Sequence, residues 1–321
     1  MVNIYDHIAT PDRTHCEISV ASFNASKHVF MEKPVGTNLE EMHRIVTAAK
    51  NAGTIFEVGY VLRYSPFYES IKEMIESGEI GRPLFANMLE QYYGGVHFFR
   101  GWWKDQKANP IMVQKICHDF DLLYWMFGKP KQIVTFENQM DFKPGGWDSD
   151  ALSCDTCTNH CAYFAQPNKV RGWSNECVYN SPHTIPDNAQ ILIQFENGLN
   201  CTLGMNFFCA HEQSDRFWHI IGSKAEIKGD LESQTLQLYP RHDESHTQSK
   251  ALQLSPPIGG HGGGDPIQTK NFLDAVFEGR EARAGIESAY WSSILVLGAQ
   301  LSANESRIVQ FKELTEKYPL S

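Results

Sequence analysis

Two residues with acid/base chemistry, His118 and Asp121, fall three apart in the apolar run 116–127. Helical spacing puts i and i+3 on one face. That suits a histidine that moves a proton and is oriented by a carboxylate. Lys115 adjoins the pair, and like-charge repulsion there predicts a lowered histidine pKa. Gln114, one helical turn ahead of His118, cannot take a proton. Arg63 and Tyr64 can bind substrate hydroxyls, although Arg63 is equally suited to an internal ion pair. Trp102 and Trp103 can stack on a sugar face or simply pack. His261 lies in the glycine-rich run 259–264, ahead of a helix with Asp265 as its cap and Pro266 as its first residue. It is a substrate-loop candidate, the plain alternative being a capped flexible turn.

Four thiols, Cys154, Cys157, Cys161 and Cys177, fall in the irregular stretch 141–186. Four thiolates can complete a tetrahedral zinc site. Packed free thiols or an occasional disulfide are the alternatives. A patternless loop of this length is functional or metal-stapled. Cys16, Cys117, Cys201 and Cys209 sit at positions expected in helices or strands and read as core.

These residues need elements to hold them. Residues 2–8, 28–31 and 54–59 read as short strands, the first ending at Thr10-Pro11 and the second at Pro34. Between them lie two helical stretches. In one, Ile18, Ala21 and Ser22 share a face. In the other, Thr37 and Glu40 form a capping box, Leu39, Met42, Ile45, Val46 and Ala49 repeat at helical period, and Gly53 stops the helix. Strands separated by helices imply parallel βαβ units. Ser65-Pro66 then opens a helix carrying Phe67, Ile71, Met74 and Ile75, stopped by Gly78. Leu84, Ala86 and Met88 alternate as in a strand, and Ile116, Phe120, Leu123 and Phe127 mark a helix. Residues 190–195 and 199–205 flank Glu196-Asn197-Gly198, a hairpin signal. Further strands are expected at 216–221, 225–228 and 235–239, and two helices from about Pro266 and Glu287. The fold class is α/β, with a parallel sheet followed by a largely antiparallel open one.

Three stretches taken together resemble one family. They are residues 9–15 with Glu32-Lys33-Pro34, residues 58–66, and residues 114–123. In this order and at this spacing the chain resembles the glucose–fructose oxidoreductase / inositol dehydrogenase (Gfo/Idh/MocA) oxidoreductases along nearly its whole length. The resemblance implies a Rossmann domain that binds NAD or NADP, then an α/β domain whose open sheet covers the active site and mediates oligomers. Residues 1–62 are expected to be the C-terminal part of the Rossmann domain, and 63–321 the substrate and oligomerisation domain. The family's opening strand and Gly-x-Gly-x-x-Gly turn have no counterpart before Thr10-Pro11, so the Rossmann sheet is expected to be incomplete and the chain N-terminally truncated.

The resemblance also implies roles. Lys33 faces the nicotinamide and the substrate hydroxyl. Thr10, Pro11, His15 and Glu32 lie at the cofactor, and His118 with Asp121 supplies acid/base chemistry. Arg63, Lys115, Trp103 and His261 are the substrate candidates. The family often has Asp where this chain has Gln114, which breaks a Lys-Asp-His relay; Lys115 is the compensating candidate.

Bulk properties narrow the class. A formal net charge of −10 and no Lys/Arg run exclude a general nucleic-acid binder. No apolar run is long enough to span a membrane and no signal pattern opens the chain, so a cytoplasmic protein is expected. Eight cysteines in 321 residues do not suggest a disulfide scaffold. The expected function is hydride transfer between NAD(P) and a sugar, polyol or glycoside. The competing readings are a cofactor-free sugar-binding or dimerising module, and a glycosidase that cycles bound NAD.

Overall fold

The computed structural model describes residues 4–164, 174–241, 249–254 and 259–320. The first three strands, β1 (Tyr5–Ile8), β2 (His28–Met31) and β3 (Phe56–Val58), form a parallel sheet in that order. Ile8 stands opposite Met31, and Met31 opposite Val58. Residues 2 and 3 of the expected first strand lie outside the described residues.

Helices α1 (His15–Asn24) and α2 (Leu39–Ala52) make the crossovers. In α2 the buried residues Met42, Ile45, Val46 and Ala49 follow the helical period, and Gly53 ends the helix at φ +63°. The cap sits one residue later than expected. Asn38, not Thr37, accepts the Glu41 N–H at 3.0 Å, and the Glu41 carboxylate accepts from Thr37 N and Oγ1, both at 2.9 Å. In α1 the expected face is also displaced. His15, Cys16, Ser19, Ser22 and Phe23 are buried, while Ile18 is exposed. The buried stripe is largely polar. Ser19 stays satisfied there because its hydroxyl donates back to His15 O at 2.6 Å.

The chain then passes through a short 3-10 turn, Val61–Tyr64, into a larger unit. Its elements are α3 (Pro66–Glu76), β4 (Pro83–Gln91), α4 (Ile111–Lys115), α5 (Cys117–Phe127), β5 (Pro130–Asn138), β6 (Asn188–Phe195), β7 (Asn200–Asn206), β8 (Asp215–Gly222), β9 (Ala225–Asp230), β10 (Thr235–Pro240) and β11 (Lys250–Gln253). After these come α6 (Gly264–Glu278), α7 (Ile286–Glu305), β12 (Val309–Gln310) and α8 (Phe311–Lys317). Nine strands form one sheet in the order β11-β10-β9-β8-β4-β7-β6-β5-β12. β4 and β7 run parallel, and the other neighbours are antiparallel. The hairpin joining β6 and β7 turns at Gly198, φ +88°. The strands β5, β11 and β12 and the helices α4 and α8 were not expected from the sequence. The chain closes with three helices rather than two.

Alternation gives the large sheet two faces. Ala86, Met88, Ile191, Leu203 and Ile220 are buried beneath it, while Phe85, Phe136 and Leu192 are exposed on the other side. Helix α7 lies between the two sheets and is buried almost all round from Ser288 to Gln300. It contacts α2, α5, β3 and β5. Helix α6 returns to the small sheet: Phe272 meets the rings of Tyr5 and Phe30, and Gln268 donates to Val58 O at 2.9 Å. The unit around the parallel sheet is therefore discontinuous in sequence.

An ion pair ties these layers together. Arg63, 3% exposed, donates through Nε and Nη2 to both carboxylate oxygens of Asp121, each at 2.6 Å. Ser292 of α7 donates to Asp121 Oδ1 at 2.6 Å. Two expected roles are corrected here. Asp121 does not orient His118, and Arg63 does not meet substrate, because the two are buried against each other, with Ser292 completing the carboxylate's shell and Arg283 O accepting from Arg63 Nη1 at 3.2 Å. Removing one partner leaves a buried charge uncompensated. Asp121→Ala is expected to lower unfolding free energy by about 3–5 kcal/mol, read as a shift in urea midpoint. A loss below about 1 kcal/mol would place the pair among ordinary surface contacts.

Candidate active site

The C-terminal ends of β1, β2 and β3 release three loops on one side of the small sheet. Open parallel sheets bind dinucleotides outside this end. The first loop carries Thr10 and Pro11, both exposed, and the second carries Glu32 and Lys33, both half-buried. One side chain holds the two loops together. His15 is fully buried, with Nδ1 2.8 Å from Pro34 O and Nε2 2.9 Å from Thr10 O. Its expected place at the cofactor is thus indirect: it braces the loops from below. The Lys33-Pro34 peptide is cis. Gly59, after β3, allows close approach to the same loop, since a Cβ there would lie 2.8 Å from Glu32 Oε2.

Lys33 reaches across to the larger unit and donates to Gln114 O at 3.0 Å. Gln114 in turn donates from Nε2 to Asn109 Oδ1 at 3.2 Å. His118 stands one helical turn further on, only 6% exposed. Its Nδ1 has no hydrogen-bond partner among the described residues. Burial holds the His118 pKa well below the usual imidazole range, and the charges of Lys33, Arg216, His261 and Lys115 add to this. The expected repulsion from Lys115 is present, but burial and Lys33 outweigh it. The His261 ring lies 5.8 Å from that of His118. His261 is exposed at φ +49°, and its Nδ1 is 3.0 Å from Asp265 Oδ1. Asp265 therefore holds the loop histidine instead of capping α6, which begins at Gly264.

A second layer of charge lies beneath His118. Glu90 at the end of β4 and Arg216 at the start of β8 are cross-strand partners. Arg216 Nε lies 2.7 Å from Glu90 Oε2 and 2.9 Å from Asp119 Oδ1. Lys115 Nζ lies 2.8 Å from Glu90 Oε1 and 3.7 Å from the centre of the Tyr92 ring. Two cations and two carboxylates thus compensate one another. Burial and the neighbouring Glu90 push Asp119 up to about 6, against the pull of Arg216. Lys115 is lowered by burial. His97, pushed down to about 4 by burial and then by Lys115 and Lys33, edges onto Trp103 with ring centres 6.2 Å apart. Trp102 stacks on Trp103 at 3.9 Å and is half exposed. Lys115 is thus a charge-network residue close to the site, and Trp103 sits at its rim.

The cysteines do not assemble as a metal centre. Among the described residues no group of three or more His, Cys, Asp or Glu side chains is placed to hold a metal ion. The four stand as thiols, none of them in a disulfide. Arg100, buried, donates from Nη2 toward Cys154 Sγ at 3.7 Å, and Cys161 and Cys177 lie close enough to act on its charge. A guanidinium among these thiols opposes a dication. Cys157 turns away to Asn159 O at 3.2 Å. Residues 165–173 of this loop lie outside the described residues.

Three site residues were not foreseen: His97, and the β4–β8 pair Glu90 and Arg216. The last two depend on strand register.

With this geometry in view, comparison with known proteins is informative. The family model for the NAD-binding Rossmann fold of an oxidoreductase family matches residues 5–60, and the one for its C-terminal alpha/beta domain matches residues 72–311. The chain belongs to this family, the Gfo/Idh/MocA oxidoreductases. YteT of Bacillus subtilis (strain 168) is 26% identical over 357 residues, covering 96% of this chain and 81% of that protein. Inositol 2-dehydrogenase of Salmonella typhimurium is 28% identical over 128 residues, covering 40% of this chain and 36% of that enzyme. A levoglucosan dehydrogenase solved with NADH and levoglucosan superposes with TM-score 0.76 at 19% identity, over 95% of this chain and 79% of that one. At that identity the likeness establishes the fold. Among the described residues no helix is long and apolar enough to cross a membrane.

The charge network makes a direct prediction. Glu90→Gln leaves Lys115 and Arg216 with one carboxylate between them. It is expected to cost about 3–5 kcal/mol of stability near neutrality. Lys115, lowered in the fold, sheds its proton more readily there than in the unfolded chain, so stability rises with pH in that window. The deficit of the variant should narrow as pH is raised from about 7 toward 10. A pH-independent deficit in denaturant midpoints would contradict this assignment.

Proposed function

We propose that the chain is an NAD(P)-dependent dehydrogenase acting on a secondary hydroxyl of a sugar, polyol or glycoside. The observation that carries the reading is the buried His118, held neutral, with Nδ1 unpartnered and Lys33 close by. Buried polar atoms without partners are rare and call for an explanation, and a substrate hydroxyl supplies one. A bound nicotinamide cofactor would supply the hydride acceptor for the carbinol carbon. The residues present fit its nicotinamide end: Thr10 and Pro11 are open at the strand ends, and Lys33 projects beside them.

The side chains then divide the work. Lys33 donates a hydrogen bond to the hydroxyl oxygen and stabilises negative charge as it develops. His118 accepts the hydroxyl proton at a ring nitrogen, since burial keeps the imidazole uncharged. Oxidation of the alcohol to a carbonyl would then divide into a hydride for the nicotinamide and a proton for His118. Glu90, Arg216, Asp119 and Lys115 hold His118's surroundings fixed. His261 and Trp103 lie at the rim, where the rest of a polyhydroxylated substrate would extend.

The test is NADH formation from NAD with a panel of inositols, hexoses and anhydrosugars. His118→Ala is expected to lower kcat by about 10²–10⁴, with its melting curve close to wild type. Product formed without net NADH would favour redox cycling. No turnover, together with no calorimetric signal from millimolar NAD, would reject the dehydrogenase reading.

The outer face of the nine-stranded sheet supports self-association. Phe85, Phe136 and Leu192 are exposed together there, and apolar patches of this kind mark interaction surfaces. Sedimentation velocity is expected to show an oligomer that Leu192→Asp converts toward monomer; a monomeric wild type at micromolar concentration would refute this.

A further inference from the structure

We propose that His261 binds the substrate hydroxyl adjacent to the one oxidised, so that the site takes a vicinal diol. This rests on the dehydrogenase reading and narrows its substrate class. The carrying observation is a strained loop that sets one histidine beside another. His261, Gly262 and Gly263 are left-handed in succession, at φ +49°, +64° and +88°. Glycine adopts this conformation freely. For histidine it carries strain, and such strain persists only where the surroundings impose it. Here they do. A Cβ at Gly262 would lie 2.7 Å from Ser65 Oγ and 3.0 Å from Leu231 Cδ1, and one at Gly264 would lie 2.4 Å from Val61 O. The loop is thus seated on the turn Val61–Tyr64, which also carries Arg63, and on the residues that flank it. The result is a His261 ring 5.8 Å from that of His118 and inclined to it at 44°.

Asp265 fixes how that ring is presented. Its Oδ1 and Oδ2 lie 3.0 and 3.3 Å from His261 Nδ1. A carboxylate accepts, so in the neutral imidazole Nδ1 carries the proton and Nε2 keeps its lone pair. Gly260 makes room for this contact, since a Cβ there would lie 2.5 Å from Asp265 Oδ2. His261 Nε2 has no hydrogen-bond partner among the described residues, and the side chain is 53% exposed. An oriented acceptor therefore stands open beside a buried histidine that itself lacks a partner at Nδ1. Closing the loop does not require a ring at a left-handed position, where glycine would serve without strain. A sugar or inositol ring sandwiched between the two imidazoles would need them about 7–8 Å apart. At 5.8 Å both must instead address one edge of it. Two oxygens on neighbouring carbons are the pair that both can reach. His118 then takes the proton of one, and Nε2 of His261 accepts a hydrogen bond from the other.

The test follows the imidazole nitrogens of the intact chain, labelled with ¹⁵N-histidine, by NMR at about pH 8, above the ordinary histidine range. The probes are 1,2-cyclohexanediol and 1,3-cyclohexanediol, each as mixed isomers, so that the spacing of the two hydroxyls is the variable. The free chain is expected to show His261 as the Nδ1–H tautomer. The 1,2-diol should shift the signals of both His118 and His261. It should bind about fivefold more tightly than the 1,3-diol, the effect of one neutral hydrogen bond. His261→Gly removes the ring and relieves the backbone. That variant is expected to melt no earlier than wild type and to lose the preference between the diols. An Nε2–H tautomer, a 1,2-diol that shifts His118 but not His261, or a His261→Gly variant that melts early and keeps the preference overturns the assignment. Shifts at neither histidine overturn it as well. The dehydrogenase reading stands or falls on NADH formation, which this measurement does not use, so the two failures are distinguishable.

Discussion

The buried pair of Arg63 and Asp121 is the constraint on which the rest of the molecule depends. Arg63 belongs to the turn that leaves the parallel sheet, Asp121 to α5, and Ser292, which completes the shell, to α7. Three elements from distant parts of the chain therefore meet at one carboxylate. The pair excludes water, so its desolvation cost is met only if both hydrogen bonds form at once. That requirement fixes α5 relative to the small sheet. Since His118 is on α5 and Lys33 at the end of β2, the same requirement sets the spacing across the cleft. His118 acquires its position from a residue three places along its own helix that is buried against Arg63 and Ser292.

This explains why the motif around His118 was only partly legible. The spacing of His118 and Asp121 correctly predicted a helix and two polar positions on it. It did not tell which side of that helix each would serve. One face of α5 meets the cleft and the other meets α7, and a three-residue step is wide enough to divide between them. Arg63 posed the same ambiguity, since a guanidinium suits a sugar hydroxyl as well as a buried carboxylate. Burial decided the matter, and burial is a property of the whole fold. The thiols of the 154–177 loop are a further instance. Their spacing allowed tetrahedral coordination, but Arg100, far off in sequence, sets its guanidinium against Cys154 and near Cys161 and Cys177.

Elements with a strong local signature were readable. The βαβ order, the glycine at the end of α2 and the turn at Gly198 each follow from short-range chemistry. Displacements arose where two local solutions were close in energy. Thr37 and Asn38 are both good caps, and Asn38 was selected because Glu41 can then reach back to Thr37. In α1 a stripe of small polar residues displaced Ile18 from the interior, since His15 and Ser19 find backbone partners there. The strands β5 and β12 depend on neighbours distant in sequence, which no periodicity reveals.

The charges of the cleft also share one logic. The chain carries a net charge of −10, yet the cations near His118 are matched locally. Lys115 and Arg216 stand against Glu90 and Asp119. With its charges compensated, the site imposes little long-range field, and on the proposed reading it would recognise an uncharged polyhydroxyl compound through directional hydrogen bonds at short range. Neutral His118 fits the same scheme, because a second fixed cation beside Lys33 would repel both the ammonium and a positively charged nicotinamide ring. The buried carboxylates therefore serve the histidine indirectly. They confine positive charge to the one ammonium that the developing alkoxide would meet.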